Sequence, residues 1–405
     1  MKEAKRNISL VLLLLCIALL GFILLRRLGG AAAPAAAVST SAPAVSVSPA
    51  PDISAVPSAV PSAAPVAATP EPTPEPTPEP TPEVFTLSFI GDLTLTNHQF
   101  SSDFETRMNG DYSYPLSNVV DYFDDDEYTF GNLECTFSDR NLGSIQTFFF
   151  RAPTEHAQIL IEGGVDFVTT ANNHTNDFNE AGVTDTSAAL EKYNIPYGLN
   201  DQAQVVTTPH GLRIGVYCQY NGKYGDYRPD LDKALAGIEK LKAEEPDFII
   251  CMFHAGKELW YRPTDEFVEI CHACIDAGVD IVYNTHPHCL QPVEQYKDGL
   301  ILYSMGNFCF GGNTAPKDRD TAIVQVQVQR ETDGTVRTLT YTMIPCCVSS
   351  RPVYEGYTRD NYNDYKPTPY EPGTEDYERA MSKIDGSYDG PNGVADYSNW
   401  HASHG

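Results

Sequence analysis

Between residues 84 and 310 the chain repeats one pattern: a short apolar run, of strand length, that ends abruptly in residues able to bind metal or move protons. Residues 85–90 run into Gly91-Asp92, and residues 127–130 into Gly131-Asn132-Leu133-Glu134. Residues 165–170 lead to Ala171-Asn172-Asn173-His174, and 248–253 to His254. Residues 279–283 lead to Asn284-Thr285-His286-Pro287-His288, where proline stiffens the link between two histidines. Helical stretches lie between the runs: 155–162, 180–193, a segment spaced by Leu231, Leu235, Ile238 and Leu241, and 264–277 with Thr264 as its cap. Strands alternating with helices predict a largely parallel sheet, and parallel strands bring their carboxyl ends to one edge. An Asx turn, a helix cap or a satisfied histidine explains any one of the five polar groups, but not five in succession. Carboxylate, amide oxygen and imidazole together suit Mn, Fe, Zn or Mg, with no thiolate required.

A hairpin closes this region. Residues 322–329 alternate apolar residues with glutamine, Asp333-Gly334 reads as a type I′ turn, and a partner strand runs through Met343.

The ends of the chain are of different composition. Lys2, Lys5 and Arg6 precede an apolar run over residues 8–25, so residues 1–30 are read as a single-pass membrane anchor or a secretory signal. Residues 31–83 are almost entirely Ala, Pro, Ser, Val and Thr, closing in Thr-Pro-Glu-Pro repeats; lacking large apolar side chains, they are read as an extended, disordered stalk. One domain follows, residues 84–357, and then a Tyr- and Asp-rich tail, 358–405, without periodicity and read as loosely ordered. The net charge of −27 excludes nucleic acid and anionic lipid surfaces as partners. Ten cysteines without a repeated CxxC pair are read as mostly small buried apolar residues, with room for one or two disulfides.

Taken in order, the motifs resemble a known family. Gly91-Asp92, Asn132-Leu133-Glu134, Ala171-Asn172-Asn173-His174 followed by Thr175 and Asp177, His254-x-Gly256-x-Glu258, His286-Pro287-His288 with Gln291 to Glu294, and Tyr303-Ser304-x-Gly306-Asn307-Phe308 resemble the bacterial CapA family of capsule or poly-gamma-glutamate synthesis proteins. That family is similar to the calcineurin-like metallophosphoesterases, and the likeness implies a four-layered α/β/β/α metallophosphatase-like sandwich with one or two divalent metal ions. It implies metal ligands at Asp92, Asn132, Glu134, Asn173, His254, His286 and His288, and a proton donor to the leaving group at His174. It also places Glu258 and Asn307 toward a substrate, and Arg151, in Phe150-Arg151-Ala152-Pro153, is read as holding an anionic group. Two departures are plain: Thr94 stands where ordinary metallophosphoesterases carry the histidine of Asp-x-His, and Asn284-Thr285 replaces the usual glycine-led opening. The implied partners are an acidic cell-surface polymer or its precursor and membrane polymer-synthesis subunits. Two classes of function follow, a metal-dependent hydrolase or transferase and a tethered, non-catalytic part of an export complex. In either the domain is expected outside the cell, anchored or secreted.

Overall fold

A computed structural model of the chain describes residues 81–97, 102–144, 148–223, 227–351 and 363–393. The anchor and stalk readings, and the start and end of the tail, lie outside the described residues. Among the described residues no helix is long and apolar enough to cross a membrane.

The chain begins with β1 (Glu83–Thr94), α1 (Asp103–Met108), β2 (Tyr128–Leu133), β3 (Thr136–Phe137), β4 (Arg151–Ala152), α2 (Gln158–Glu162) and β5 (Phe167–Thr169). It continues with α3 (Asn179–Lys192), β6 (Tyr197–Gly198), β7 (Gln202–Thr207), β8 (Arg213–Gln219), α4 (Leu231–Ala243), β9 (Phe248–His254) and α5 (Asp265–Asp276). Then come β10 (Ile281–Thr285), β11 (Val293–Tyr296), β12 (Gly299–Leu302), β13 (Asn307–Phe310), β14 (Asp320–Arg330), β15 (Val336–Cys347), β16 (Thr368–Pro369) and α6 (Glu375–Ile384).

Two sheets result. The first has the order β16-β15-β14-β1-β2-β5-β6, with β13 added in parallel at the end of β1; the second has the order β11-β12-β10-β9-β8-β7. The central strands of each are parallel, and antiparallel β14, β15, β7 and β11 complete the sheets. Parallel strands are buried on both faces and so read as near-continuous apolar runs, as β9 does with every residue buried. Leu87, Phe89, Phe130 and Phe167 of the first sheet pack against Ile214, Val216, Ile250 and Ile281 of the second. On the outer side of the first sheet, Phe104, Leu160 and Leu190 of the helices cover Leu93 and Val168. On the outer side of the second, Ile238 of α4 and Phe267 and Cys271 of α5 cover Tyr217, Cys251 and Val282. The result is the expected α/β/β/α sandwich. Local signals set the helix starts: Asp230 and Thr264 each accept a backbone N–H of the first turn of α4 and α5.

Two readings need correction. The hairpin is present as β14 and β15, but its turn is not type I′. Five residues connect Arg330 to Val336, the Gly334 N–H donates to the Glu331 carbonyl at 3.0 Å, and Gly334 alone has positive φ (+89°). That is a turn followed by a left-handed glycine, the usual form of a longer hairpin loop. The tail is the second. Within it β16 pairs with β15, and α6 buries Arg379, Ala380, Lys383 and Ile384. Arg379 donates twice to Asp320 (2.6 and 2.8 Å), and Lys383 Nζ bridges Asp318 (2.8 Å) and Asp320 (2.7 Å), all four side chains being buried. The nine described cysteines are free thiols, eight of them buried, so no disulfide occurs among the described residues.

Candidate metal centre

Strand ends from both sheets meet at one edge. The first sheet contributes Asp92 at the end of β1, Asn132 and Glu134 at the end of β2, and Asn173-His174 after β5. The second contributes His254 at the end of β9, and His286 and His288 just past β10. The approach is close at Gly91, where any Cβ would overlap the Gly306 carbonyl oxygen, and there the register of β1 shifts. The Asp92 N–H donates to that carbonyl at 2.9 Å, and Asp92 comes level with Asn307 of β13. Both His286 (φ +97°) and His288 (φ +56°) hold left-handed backbone, a strained state that turns both rings inward on either side of Pro287.

Glu134 is the centre of the cluster. It is fully buried, and neither of its oxygens accepts a hydrogen bond. Around Oε1 lie Nε2 of His254 at 3.6 Å and Nε2 of His174 and His288 at 3.9 Å each. Asp92 is similarly placed: Oδ1 accepts from Asn132 Nδ2 at 2.8 Å, while buried Oδ2, 3.3 Å from His288 Nδ1, accepts no hydrogen bond. His254 Nε2 lies 2.7 Å from Asn173 Oδ1 and 3.2 Å from His286 Nδ1. His288 Nδ1 lies 2.9 Å from Asn307 Oδ1, which leaves Nε2 turned toward Glu134. Two sets of possible donor atoms stand close enough to share an ion: Asp92, Glu134 and His288, and exposed Glu258 with His286 and His288, the atoms of each lying within 4.8 Å of one another.

The electrostatics agree with a site built for positive charge. Burial pushes the Glu134 carboxyl well up, and the charge of Asp92 pushes it further. Burial opposes charge on His288, but Glu134 and Asp92 outweigh it and hold this imidazole up to about 10. Burial, then the neighbouring imidazoles, holds His254 and His286 well down, as neutral nitrogen bases. Buried carboxylate oxygens without donors, facing imidazole nitrogens, are the donor set of a hard-to-intermediate divalent cation. The residues fit one.

Two polar residues beside the cluster had no role assigned in the sequence. Asn172 donates to Asn132 Oδ1 (3.0 Å) and the Leu133 carbonyl (2.8 Å), tying the β5 loop to β2. Buried Asp177 accepts from the Phe150 N–H (2.9 Å) and faces His174 Nδ1 at 2.9 Å, so His174 presents Nε2 to the cluster. The signal was the Thr-x-Asp that follows Asn173-His174. Arg151 is a correction: its guanidinium donates to the Arg140 carbonyl and lies 5.8 Å from the Phe178 ring centre, and it does not line the neighbouring cavity. That cavity, about 560 Å³, is lined by Phe150, His174, Glu258, His288, Asn307 and Phe310, among others.

The Capsule biosynthesis protein CapA of Bacillus anthracis is 26% identical over 267 residues, 60% of this chain and 64% of that protein. The PGA biosynthesis protein CapA of Bacillus subtilis is 25% identical over 270 residues, 62% of this chain and 70% of that protein. The chain thus spans under two thirds of the length of the first of these relatives. Among solved structures, a phosphatase from Mycoplasma pneumoniae covers 65% of this chain and 93% of its own at 14% identity and a TM-score of 0.40. The Haemophilus influenzae NAD nucleotidase covers 80% and 67% at 11% identity and the same score, 0.40. The family profile described as Bacterial capsule synthesis protein PGA_cap matches residues 86–312, more than half of the chain and every residue of the cluster. The chain belongs to that family.

Proposed function

We propose that this domain is a metal-dependent hydrolase or transferase of capsule or poly-gamma-glutamate synthesis. The observation that carries the reading is Glu134, buried with both oxygens lacking donors among the imidazoles of His174, His254 and His288. His288 Nε2 would take a divalent ion either with Asp92 and Glu134 or with Glu258 and His286; Asn132, Asn173 and His254 complete the surround. A bound divalent cation supplies Lewis acidity toward a phosphoryl or acyl oxygen. His174, oriented by Asp177, gives a proton to the leaving group from Nε2, and Asn307 fixes the ring of His288. Phe150 and Phe310 keep one side of the cavity apolar. The names of the relatives support a substrate from the capsule or poly-glutamate pathway. The basic residues and apolar run at 2–25 support tethering to the membrane with the domain outside the cell.

The test is elemental analysis of protein made with Mn, Zn and Fe supplied. Wild type carries metal; Glu134→Gln and His288→Ala carry less and melt lower, since an ion at ~100 times its dissociation constant adds about 2.7 kcal/mol to the folded state. Absence of metal from wild type under all three conditions ends the hydrolase reading. A metal-loaded wild type that turns over neither phosphoesters nor γ-glutamyl polymer, yet supports capsule formation in cells, is a tethered assembly component instead.

A further inference from the structure

We propose that residues 313–318, clamped by the C-terminal segment, form a ligand-selecting wall of the cavity in which Lys317 takes an anionic group of the substrate. This deepens the reading above and rests on it for the ligand's identity.

The lining of the cavity has two origins. Phe150, His174, His288 and Asn307 lie within the family match, whereas Asn313, Thr314, Pro316, Lys317 and Asp318 lie just past its last residue, 312. Among the described residues, Lys317 is the one lysine or arginine in the lining, and it is exposed. In a chain of net charge −27, and in a lining that also holds Glu258, Lys317 is the group that offers an anionic ligand a positive charge.

Its neighbour Asp318 would cancel that charge if it faced the same space unpaired. It does not, because Lys383 Nζ of α6 lies 2.8 and 3.1 Å from the two Asp318 oxygens in a buried contact. The same C-terminal segment holds the rest of the wall. The Asn363 N–H donates to the Thr314 carbonyl (3.0 Å) and its Nδ2 to the Asn313 carbonyl (3.2 Å). On the other flank, beyond Glu258 and Leu259, the Arg262 N–H donates to Asn392 Oδ1 (3.0 Å) and its guanidinium to the Tyr388 carbonyl (2.9 Å). Backbone clamped on both flanks is positioned for recognition, not only for cover. An ammonium group in one cavity with Phe150 and Phe310 suits a ligand that carries both an anionic oxygen and an apolar stem, as a γ-linked glutamate chain does.

The full chain and its Lys317→Ala, Lys317→Glu and Lys317→Arg variants are titrated calorimetrically with a γ-linked glutamate oligomer, its neutral α-amide analogue and inorganic phosphate. Lys317→Ala should weaken the oligomer by about tenfold or more, as expected for a hydrogen bond to a charged group. Lys317→Glu should abolish binding and Lys317→Arg restore most of it, with the amide analogue bound alike by wild type and Lys317→Ala. Lys317-dependent binding of phosphate without the oligomer assigns the anion to a phosphate group. Equal oligomer and phosphate affinity in wild type and Lys317→Ala, or no binding of either anion by metal-loaded wild type, overturns the wall. Lys317-dependent binding by protein that carries no metal leaves the wall standing and removes the catalytic reading alone.

Discussion

His174 has its Nδ1 2.9 Å from a buried carboxylate and its Nε2 toward the cluster, so the two ends of one ring do different work. His174→Asn should keep bound metal and melting temperature close to wild type while lowering turnover by ~10²- to 10⁴-fold, the usual worth of a positioned general acid. Activity per folded molecule that survives the change, with a lower melting temperature, makes this a structural histidine. Gly91 tests the scaffold beneath: Gly91→Ala sets a methyl against the Gly306 carbonyl and should destabilise by about 1–3 kcal/mol or more, read by chemical denaturation. Much of the cluster was legible from single residues because in β1, β2, β5, β9 and β10 the polar residues follow directly on the apolar runs, in the last positions of the strand or just past it. Asn172 was not singled out, since adjacent asparagines look alike in sequence and only the fold decides that Asn172 ties loops while Asn173 faces His254. Arg151 misled for a similar reason: its position beside Phe150 was right for the cavity, but its side chain leaves the other way, to Arg140.

At the scale of elements, α6 escaped the sequence because charged residues occupy half of its buried face. Ala380, Met381 and Ile384 give an apolar signal, while Arg379 and Lys383, which read as solvent residues, are buried on Asp318 and Asp320. The hairpin β14–β15 was plain for the opposite reason, its Val/Gln alternation matching the pleat. Removing one partner of a buried ion pair leaves the other uncompensated, so Lys383→Met should cost about 3–5 kcal/mol. Denaturant titration checks this; a loss below about 1 kcal/mol shows the contact to be solvated. The pH dependence follows from the same groups. Burial alone would raise the Asp320 carboxyl, but Lys383 and Arg379 outweigh it and hold it well below its ordinary range. A depressed acid contributes stability that is present above its unfolded pKa, ~3.9, and lost as pH falls through the folded value. Burial opposes charge on Lys383, but Asp318 and Asp320 outweigh it and raise the group, so its contribution is present below ~10.4 and lost as pH rises through its folded value. Wild type minus Lys383→Met should therefore be widest between about pH 4 and 10 and narrow on both sides.

For the molecule as a whole, the α/β/β/α layering was readable because period and length separate buried parallel strands from amphipathic helices. The extent of the domain was not, because the sequence gives no periodic signal between Cys347 and α6. A fragment of residues 81–393 should therefore melt higher than one of 81–357, which lacks Asn363, Arg379 and Lys383; equal melting in calorimetry would show that the C-terminal segment adds nothing. The unbridged sulfurs have a further consequence. With eight of nine described thiols buried and none cross-linked, the described residues give reductants no bridge to cut and thiol reagents little to reach. Each of those sulfurs becomes reactive only when its layer opens. The chain thus carries its own set of clocks: the rate at which Cys251 and Cys271 are labelled times the parting of the α4/α5 layer, and that of Cys135 and Cys309 the opposite side.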